Sequence, residues 1–223
     1  MSFVSETIEL VKKEFTIEWR QRNALFSLLL YVGGAVFICY LSMSLKSGDL
    51  ARSTWNALFW IIMLFISINA IAKSFMQEGK ERDYYYFTIT SPAAIIISKI
   101  IYNNILMLSL AVITFIFYYT ILHVEIKDPE IFFLSMILGA SGFASCLTLI
   151  SGIASKANNN GALMAVLSFP ILIPMLLILI RTSFHGLMGL DRTMIYDELA
   201  SLGGINIIVI GASYVLFPYL WRS

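Results

Sequence analysis

The sequence predicts an all-α membrane protein with six transmembrane helices, and three observations support this prediction. Of the 223 residues, 59% are hydrophobic and 13% are charged, whereas a soluble domain has about 25% charged residues. The charged residues leave six uncharged runs that reach the roughly 20 residues an α-helix needs to cross a bilayer. None of these runs alternates apolar and polar residues as a β-barrel strand does. The predicted spans are 23–45, 53–72, 100–124, 131–155, 157–180 and 199–221.

The first predicted element is an interfacial helix within residues 1–22. Ile8, Val11, Phe15 and Trp19 recur at helical spacing with charged residues between them. This pattern predicts an amphipathic helix that lies in the lipid headgroup region before the first span. Such a helix is either a simple elbow at the membrane surface or also a contact for a partner, and the pattern leaves both open.

The predicted cytoplasmic loop 73–99 is the most informative segment between spans. A cluster of charged residues precedes the aromatic run Tyr84 to Phe87, and Ser91-Pro92 then marks the start of a helix. Aromatic residues beside charges are typical of the membrane interface. They are also typical of a protein contact, and both interpretations stay open.

The fourth predicted span is suited to close helix packing. Small residues recur every four positions at Ala140, Ala144, Thr148 and Gly152, the spacing that lets helix backbones approach each other in lipid. We therefore expect this span to contact several other helices.

The fifth predicted span contains Pro170 and Pro174, four residues apart and so on one face of a helix. Each proline frees a backbone carbonyl that lipid cannot satisfy, so we expect this face to turn towards protein or a water-filled cavity. A static kink is the commoner outcome, and a moving hinge is the alternative.

Beyond the fifth span, the external segment 181–198 has apolar residues at helical spacing. It is therefore expected to be a re-entrant or surface-lying helix rather than a free loop. The two histidines, His123 and His185, lie at the outer ends of predicted spans. A solvated interfacial histidine is the simpler interpretation of each, and a haem ligand is the alternative.

Lysine and arginine predict how the chain is oriented. Ten of the fifteen lie in the N-terminal segment, in the connections after the second and fourth spans, and at the C-terminus, while five lie on the opposite side. The positive-inside rule places the richer side, with both termini, in the cytoplasm. Every charged residue is assigned to a segment outside the six spans.

Several kinds of chemistry are not expected. Cys39 and Cys146 lie far apart inside apolar runs, which is typical of buried residues rather than of a disulfide or metal site. A net charge of +1 gives no indication of nucleic-acid binding. Gly79-Lys80 is followed by Glu81 rather than Ser or Thr, so no phosphate-binding loop for ATP is present. We therefore expect no catalytic site and no cofactor or metal bound by this chain.

The chain resembles the CcmB family, haem exporter protein B, which is the permease subunit of the cytochrome c maturation ABC complex. The resemblance is found in the amphipathic entry with the first span, in the loop Phe75 to Lys99 and in the stretch Gly139 to Leu177. The matching features are Glu78-Gly79, the short helix from Tyr84 to Thr88, Ser91-Pro92, Lys99, LTLISGIASKANNNG and LSFPILIPMLL. The chain departs from the family in its three consecutive asparagines and in having aromatic residues at 84–87, where leucines are usual.

The resemblance implies an ABC-2-exporter-like fold in a bacterial inner membrane. ATP would bind a separate CcmA-like ATPase subunit, two copies of each subunit would form the core, and haem is a possible cargo. Other implied partners are a CcmC-like haem-handling membrane subunit, a CcmE-like haem chaperone and membrane lipid. ATP hydrolysis would drive haem export or release of the haem-loaded periplasmic chaperone.

The resemblance also implies roles for particular residues. The loop from Glu78 to Thr88 would be the coupling contact with the ATPase, and Pro170 and Pro174 would form a hinge that responds to it. The implied contact residues are Glu78, Gly79, Glu81, Arg82, Asp83, Tyr84, Tyr85 and Tyr86.

Two other classes of function have the same predicted architecture. An ABC-2-type permease that exports a lipid, polysaccharide or drug is the alternative, and the neighbouring genes would distinguish it. A membrane enzyme or a non-transport assembly scaffold is the third class, and the enzyme is disfavoured because no polar cluster lies inside the predicted spans.

Overall fold

The computed structural model of the protein describes residues 3–20, 22–44, 51–71, 75, 90–156 and 161–222. Within these residues the chain is helical and has no β-strand, which confirms the all-α fold class. The helices are α1 (Phe3–Arg20), α2 (Arg22–Ser44), α3 (Arg52–Ile71), α4 (Pro92–Ile121), α5 (Pro129–Lys156), α6 (Gly161–Met188) and α7 (Tyr196–Arg222), with a short 3-10 turn (Arg192–Met194) before α7.

Among the described residues, five helices, α3 to α7, are long and apolar enough to cross a membrane. The helix α2 occupies the place of the first predicted span, and its apolar part is Phe26–Ser42. At 1.5 Å per residue this part is about 25 Å long, slightly less than the ~30 Å of a typical hydrocarbon core. The protein is therefore multi-pass, with five helices that meet the length criterion and a sixth that is shorter.

Helix α4 begins at Pro92, eight residues before the span predicted from the uncharged run. Ser91 is the N-cap residue, its side chain accepts a hydrogen bond from the Ala94 N–H, and Pro92 occupies the first turn. The helix start predicted from Ser91-Pro92 is thus confirmed. Lys99, which ended the uncharged run, lies inside α4, as Arg181 lies inside α6.

Helix α6 continues to Met188, well past the predicted end of its span at residue 180. It ends at Gly189, which has a φ of +63°, a backbone conformation that glycine adopts without strain. Asp191 then caps the 3-10 turn by accepting a hydrogen bond from the Thr193 N–H. The segment 181–198, predicted to be external, therefore consists of the end of α6, this turn and the start of α7.

Helix α5 lies at the centre and contacts α3, α4, α6 and α7. Ala140, Ala144 and Thr148 are fully buried, which confirms the predicted packing role of the small residues. A Cβ atom on Gly139 would lie 2.5 Å from the ring of Trp60, far inside van der Waals contact. A glycine is required there because the indole ring rests directly on the α5 backbone.

Hydrogen bonds tie α3 to its neighbours at the predicted external end. The indole N–H of Trp55 donates to the Leu122 carbonyl at 2.6 Å, and the Tyr118 hydroxyl donates to the Trp55 carbonyl at 2.8 Å. The indole N–H of Trp60 donates to the Ser183 hydroxyl of α6 at 2.7 Å. Polar groups that are not paired inside a bilayer are costly, so these bonds hold α3, α4 and α6 in one arrangement.

Candidate functional site

The predicted ATPase-contact residues, Glu78, Gly79, Glu81, Arg82, Asp83, Tyr84, Tyr85 and Tyr86, lie outside the described residues. The structure does describe the residues on either side of this segment. Phe75 precedes it and Ser91 follows it, and both make contacts with other helices. The site is therefore built from these two positions.

Phe75 is buried, with 4% of its surface exposed. Its backbone N–H donates to the Ser151 hydroxyl of α5 at 3.4 Å, and its ring centroid lies 5.4 Å from that of Phe217 in α7. Gly152 leaves room for this pair, since a Cβ atom there would approach the Phe217 ring to 3.0 Å. The chain that leads into the predicted contact segment is thus fixed between α5 and α7.

Lys99 of α4 completes this site. Its ammonium group lies 4.7 Å from the centroid of the Phe75 ring, within the range of a cation–π interaction. It also pairs with the Glu14 carboxylate of α1 at 3.3 Å, while only 1% of the Lys99 side chain is exposed. We call the set Phe75, Lys99, Glu14, Ser151 and Phe217 the Phe75 joint, because Phe75 contacts α4, α5 and α7 and Lys99 links α4 to α1.

Glu14 is shared between two ammonium groups. Its Oε1 atom lies 3.3 Å from Lys99 Nζ and 3.0 Å from Lys13 Nζ, and 13% of its side chain is exposed. A buried ammonium is stable only when paired, so α1 supplies the charge that lets Lys99 remain in α4. The helix α1 is therefore part of the bundle as well as a surface element.

A second contact between α1 and α4 lies at Ser91. The Glu6 carboxylate accepts hydrogen bonds from the Ser91 N–H at 3.0 Å and from its hydroxyl at 3.2 Å. A negative charge at a helix N-terminus is favourable because the backbone N–H groups there are unpaired and the helix dipole is positive. Glu6 thus fixes the residue at which the chain returns from the predicted contact segment.

Further along, Phe15 packs edge-on against Tyr102 at a centroid distance of 5.1 Å. The Glu18 carboxyl also lies near Tyr102, and burial raises its pKa, an effect that the Tyr102 hydroxyl opposes and the neighbouring Glu14 charge increases. The contacts Glu6–Ser91, Glu14–Lys99 and Phe15–Tyr102 follow the same order in both helices. The two helices therefore run side by side in one direction over about 16 Å of α4.

The outer surface of α1 carries part of the predicted apolar pattern. Ile8 and Trp19 are 49% and 70% exposed, whereas Val11 is half-buried and Phe15 packs against Tyr102. Leu10, outside the predicted pattern, is buried in one cluster with apolar residues of α4. Sequence reasoning identified this outer stripe and missed the inner one. The missed pattern is Glu6, Leu10, Glu14 and Glu18, which recur every four residues and so share one face of α1.

Pro170 and Pro174 lie inside α6 and are both exposed on the single chain. Their neighbours Phe169, Ile171 and Ile173 are 48%, 44% and 47% exposed. None of the described helices covers this face. The described helices therefore do not supply the expected contact with protein, and the hinge stays a prediction.

The two histidines lie in different segments at the predicted external end. His123 follows α4 and is exposed, with its ring 4.7 Å from that of Tyr119. The Nδ1 atom of His185 in α6 is buried and has no hydrogen-bond partner in the described part of the chain. No group of three or more His, Cys, Asp or Glu residues suited to a metal ion occurs among the described residues.

Comparison with known proteins extends over nearly the whole chain. A family model described as CcmB protein matches residues 5–218. No curated protein matches the chain. The family match includes the Phe75 joint, the predicted contact segment between Phe75 and Ser91, and both prolines of α6.

Proposed function

The chain belongs to the CcmB family, and from this premise we propose how it works within its complex. The family is the permease subunit of a haem-exporting ABC system of cytochrome c biogenesis, a kind of subunit that is generally non-catalytic. Together with the long apolar helices, membership identifies a multi-pass protein of the inner membrane. Coupling of this subunit to its partners depends on the segment between Phe75 and Ser91.

The segment Glu78 to Thr88 is the contact with a CcmA-like ATPase subunit, which binds the ATP. Two features support this assignment. Its charged and aromatic composition suits a protein interface, and the residues on either side of it, Phe75 and Ser91, are fixed to the helix bundle by several contacts. A contact segment held at both ends can pass a displacement to the helices that hold it.

The coupled process is haem export or release of the haem-loaded periplasmic chaperone. Haem is then the cargo of the complex and is not a cofactor of this chain. The other partners are a CcmC-like membrane subunit, a CcmE-like chaperone and membrane lipid. Both termini lie in the cytoplasm, in accordance with the ten to five distribution of lysine and arginine.

A second copy of the chain covers the exposed face of α6. The support is the exposure of Pro170 and Pro174, each of which frees a backbone carbonyl that lipid cannot satisfy. On this proposal the prolines allow α6 to bend when the contact segment moves.

The coupling proposal depends chiefly on the contacts that Phe75 makes with α4, α5 and α7. The test replaces Glu78, Glu81 and Asp83 together by lysine and measures co-purification of the ATPase and the amount of c-type cytochrome formed in cells. Both should fall, because the charge of the contact is reversed. Asp197→Lys, at an exposed position on the opposite side, is the matched control. Unchanged co-purification in the triple variant would refute the contact.

A further inference from the structure

Lys99 is the only charged residue that is buried within the part of the chain that the structure describes. Ile95, Ile96 and Ile100 of α4 are buried in one apolar cluster with Phe75 and Phe217, and the polar residues Ser98 and Asn103 are buried next to Lys99 in the same helix. An ammonium group is costly in such surroundings. Its presence at this position therefore calls for a physical reason.

Stability alone does not supply that reason. Replacement of a buried ion pair by apolar side chains of similar volume is often neutral or stabilising. A methionine or leucine at position 99 would fill the space beside Phe75 and leave Glu14 paired with Lys13, which lies 3.0 Å away. Packing and stability therefore do not by themselves require a charge at this position.

The contacts of the ammonium indicate a role for the charge. It attracts the face of the Phe75 ring at 4.7 Å on one side and the Glu14 carboxylate at 3.3 Å on the other. Phe75 is three residues before Glu78, where the proposed ATPase contact begins. A compact point charge on a flexible stem keeps both attractions through small shifts of either partner, whereas packed apolar surfaces separate.

We infer that Lys99 is a positioning residue that transmits displacement of the ATPase-contact segment, through the Phe75 ring, to α1 and α4. This inference depends on the proposed ATPase contact. When Phe75 moves, the ammonium moves with the ring, and Glu14 draws α1 along the side of α4. The polar face of α1 that docks on α4 thus takes part in coupling.

The experiment uses the complete complex, expressed from its own genes in cells that lack the wild-type chain. The variants are Lys99→Met, which keeps the volume, Lys99→Arg, which keeps the charge, and Phe75→Leu, which removes the aromatic ring. Lys12→Met, at an exposed position of α1, is the matched control. Three quantities are measured: membrane accumulation, co-purification of the ATPase with its hydrolysis rate, and formation of c-type cytochromes.

Lys99→Met and Phe75→Leu should each accumulate, bind the ATPase and hydrolyse ATP, while cytochrome formation falls about tenfold. Combining them should add little, because both break the same link. Lys99→Arg should restore most of the activity, and Lys12→Met should stay within about twofold of the wild type.

Three results would overturn the inference. One is cytochrome formation by Lys99→Met or Phe75→Leu at the wild-type level. Another is loss of both variant chains from the membrane, which would assign Lys99 a purely structural role. The third is loss of ATPase binding in Lys99→Met, which would make Lys99 a determinant of assembly. Failure of the wild-type chain to co-purify with an ATPase would instead refute the proposed contact itself.

Discussion

Glu6 of α1 accepts two hydrogen bonds from Ser91, the N-cap residue of α4, which is 85 residues away in the chain. The Ser91 hydroxyl in turn accepts a hydrogen bond from the Ala94 N–H within its own helix, at 3.4 Å. In a capping box the acidic residue belongs to the first turn of the same helix. Here a different helix supplies it, so the start of α4 depends on the docking of α1.

Glu6→Ala should loosen this docking. Loss of a charged acceptor for two partly buried donors lowers the free energy of unfolding by about 1 kcal/mol or more. The thermal unfolding midpoint in detergent and the rate of protease cleavage within α1 measure the effect. Glu9→Ala, on the exposed side of the same helix, is the control, and equal behaviour of the two variants would contradict the capping role.

Glu18 predicts a pH dependence of stability. Because burial raises the pKa of its carboxyl above the ordinary value of 4.5, the folded protein binds this proton more readily than the unfolded chain does. The contribution of Glu18 to the free energy of unfolding therefore decreases as pH rises from 4.5 through the raised pKa. The thermal unfolding midpoints of wild type and Glu18→Gln are measured at several pH values. Across this window the midpoint of the wild type should fall relative to that of the variant, and above the window the difference between the two should stay constant. A difference that is the same at every pH would contradict this expectation.

Gly139→Ala tests the packing of α5 against α3. The added methyl group would lie 2.5 Å from the Trp60 ring, so the ring must shift, at a cost of about 1–3 kcal/mol. Gly211→Ala meets no atom within 4 Å and should be neutral or slightly stabilising, because alanine favours a helix. Thermal unfolding in detergent compares them, and equal midpoints would refute the close contact.

Ser183→Ala should destabilise the predicted external end of the bundle. It leaves the Trp60 indole N–H, which donates to Ser183 at 2.7 Å, buried without a partner, at a cost of about 1–3 kcal/mol. Ser109→Ala removes a hydroxyl that bonds only within its own helix at an exposed position, so this variant should have little effect. The unfolding midpoint and the tryptophan fluorescence report the change; a Ser183→Ala protein as stable as Ser109→Ala would rule out the bond's contribution.

The two prolines of α6 predict a functional effect without loss of the protein. Pro170→Ala combined with Pro174→Ala restores backbone donors and stiffens the helix. We expect normal accumulation in the membrane but a fall of about fivefold in cytochrome formation if bending limits the rate. Ile207→Ala, at an exposed position of α7, is the control. Full activity of the double variant would exclude the hinge.

Some of this molecule was predictable because the decisive information is local. Long uncharged runs located α3 to α7, and Ser91-Pro92 located the start of α4, since a serine cap and a first-turn proline act within a few residues. The end of α6 was missed because Arg181 interrupted the apolar run although it lies inside the helix. A charged residue ends an apolar run in the sequence, but it does not end an α-helix whose backbone hydrogen bonds continue past it.

The candidate site was predictable only in part. The loop 73–99 was singled out from its composition, but the importance of Phe75 was not, because a single aromatic residue after a span has no distinctive spacing. Lys99 was taken as the boundary of a span, since nothing in the sequence shows that Glu14, 85 residues earlier, supplies its counter-charge. The repeat of acidic residues on α1 could have indicated that this face of the helix meets a cation.

By itself, the sequence determined that the chain is an all-helical membrane protein, where most of its helices lie and which of them packs through small residues. These properties follow from apolar run length and from short-range backbone chemistry. Only the tertiary structure decided that α1 docks along α4, that Lys99 is buried against Phe75, and that the prolines of α6 are exposed. The helices that span a membrane are largely apolar on all sides, so hydrophobicity does not specify which of their faces contact each other. The shapes of the side chains and a few buried polar pairs determine these contacts.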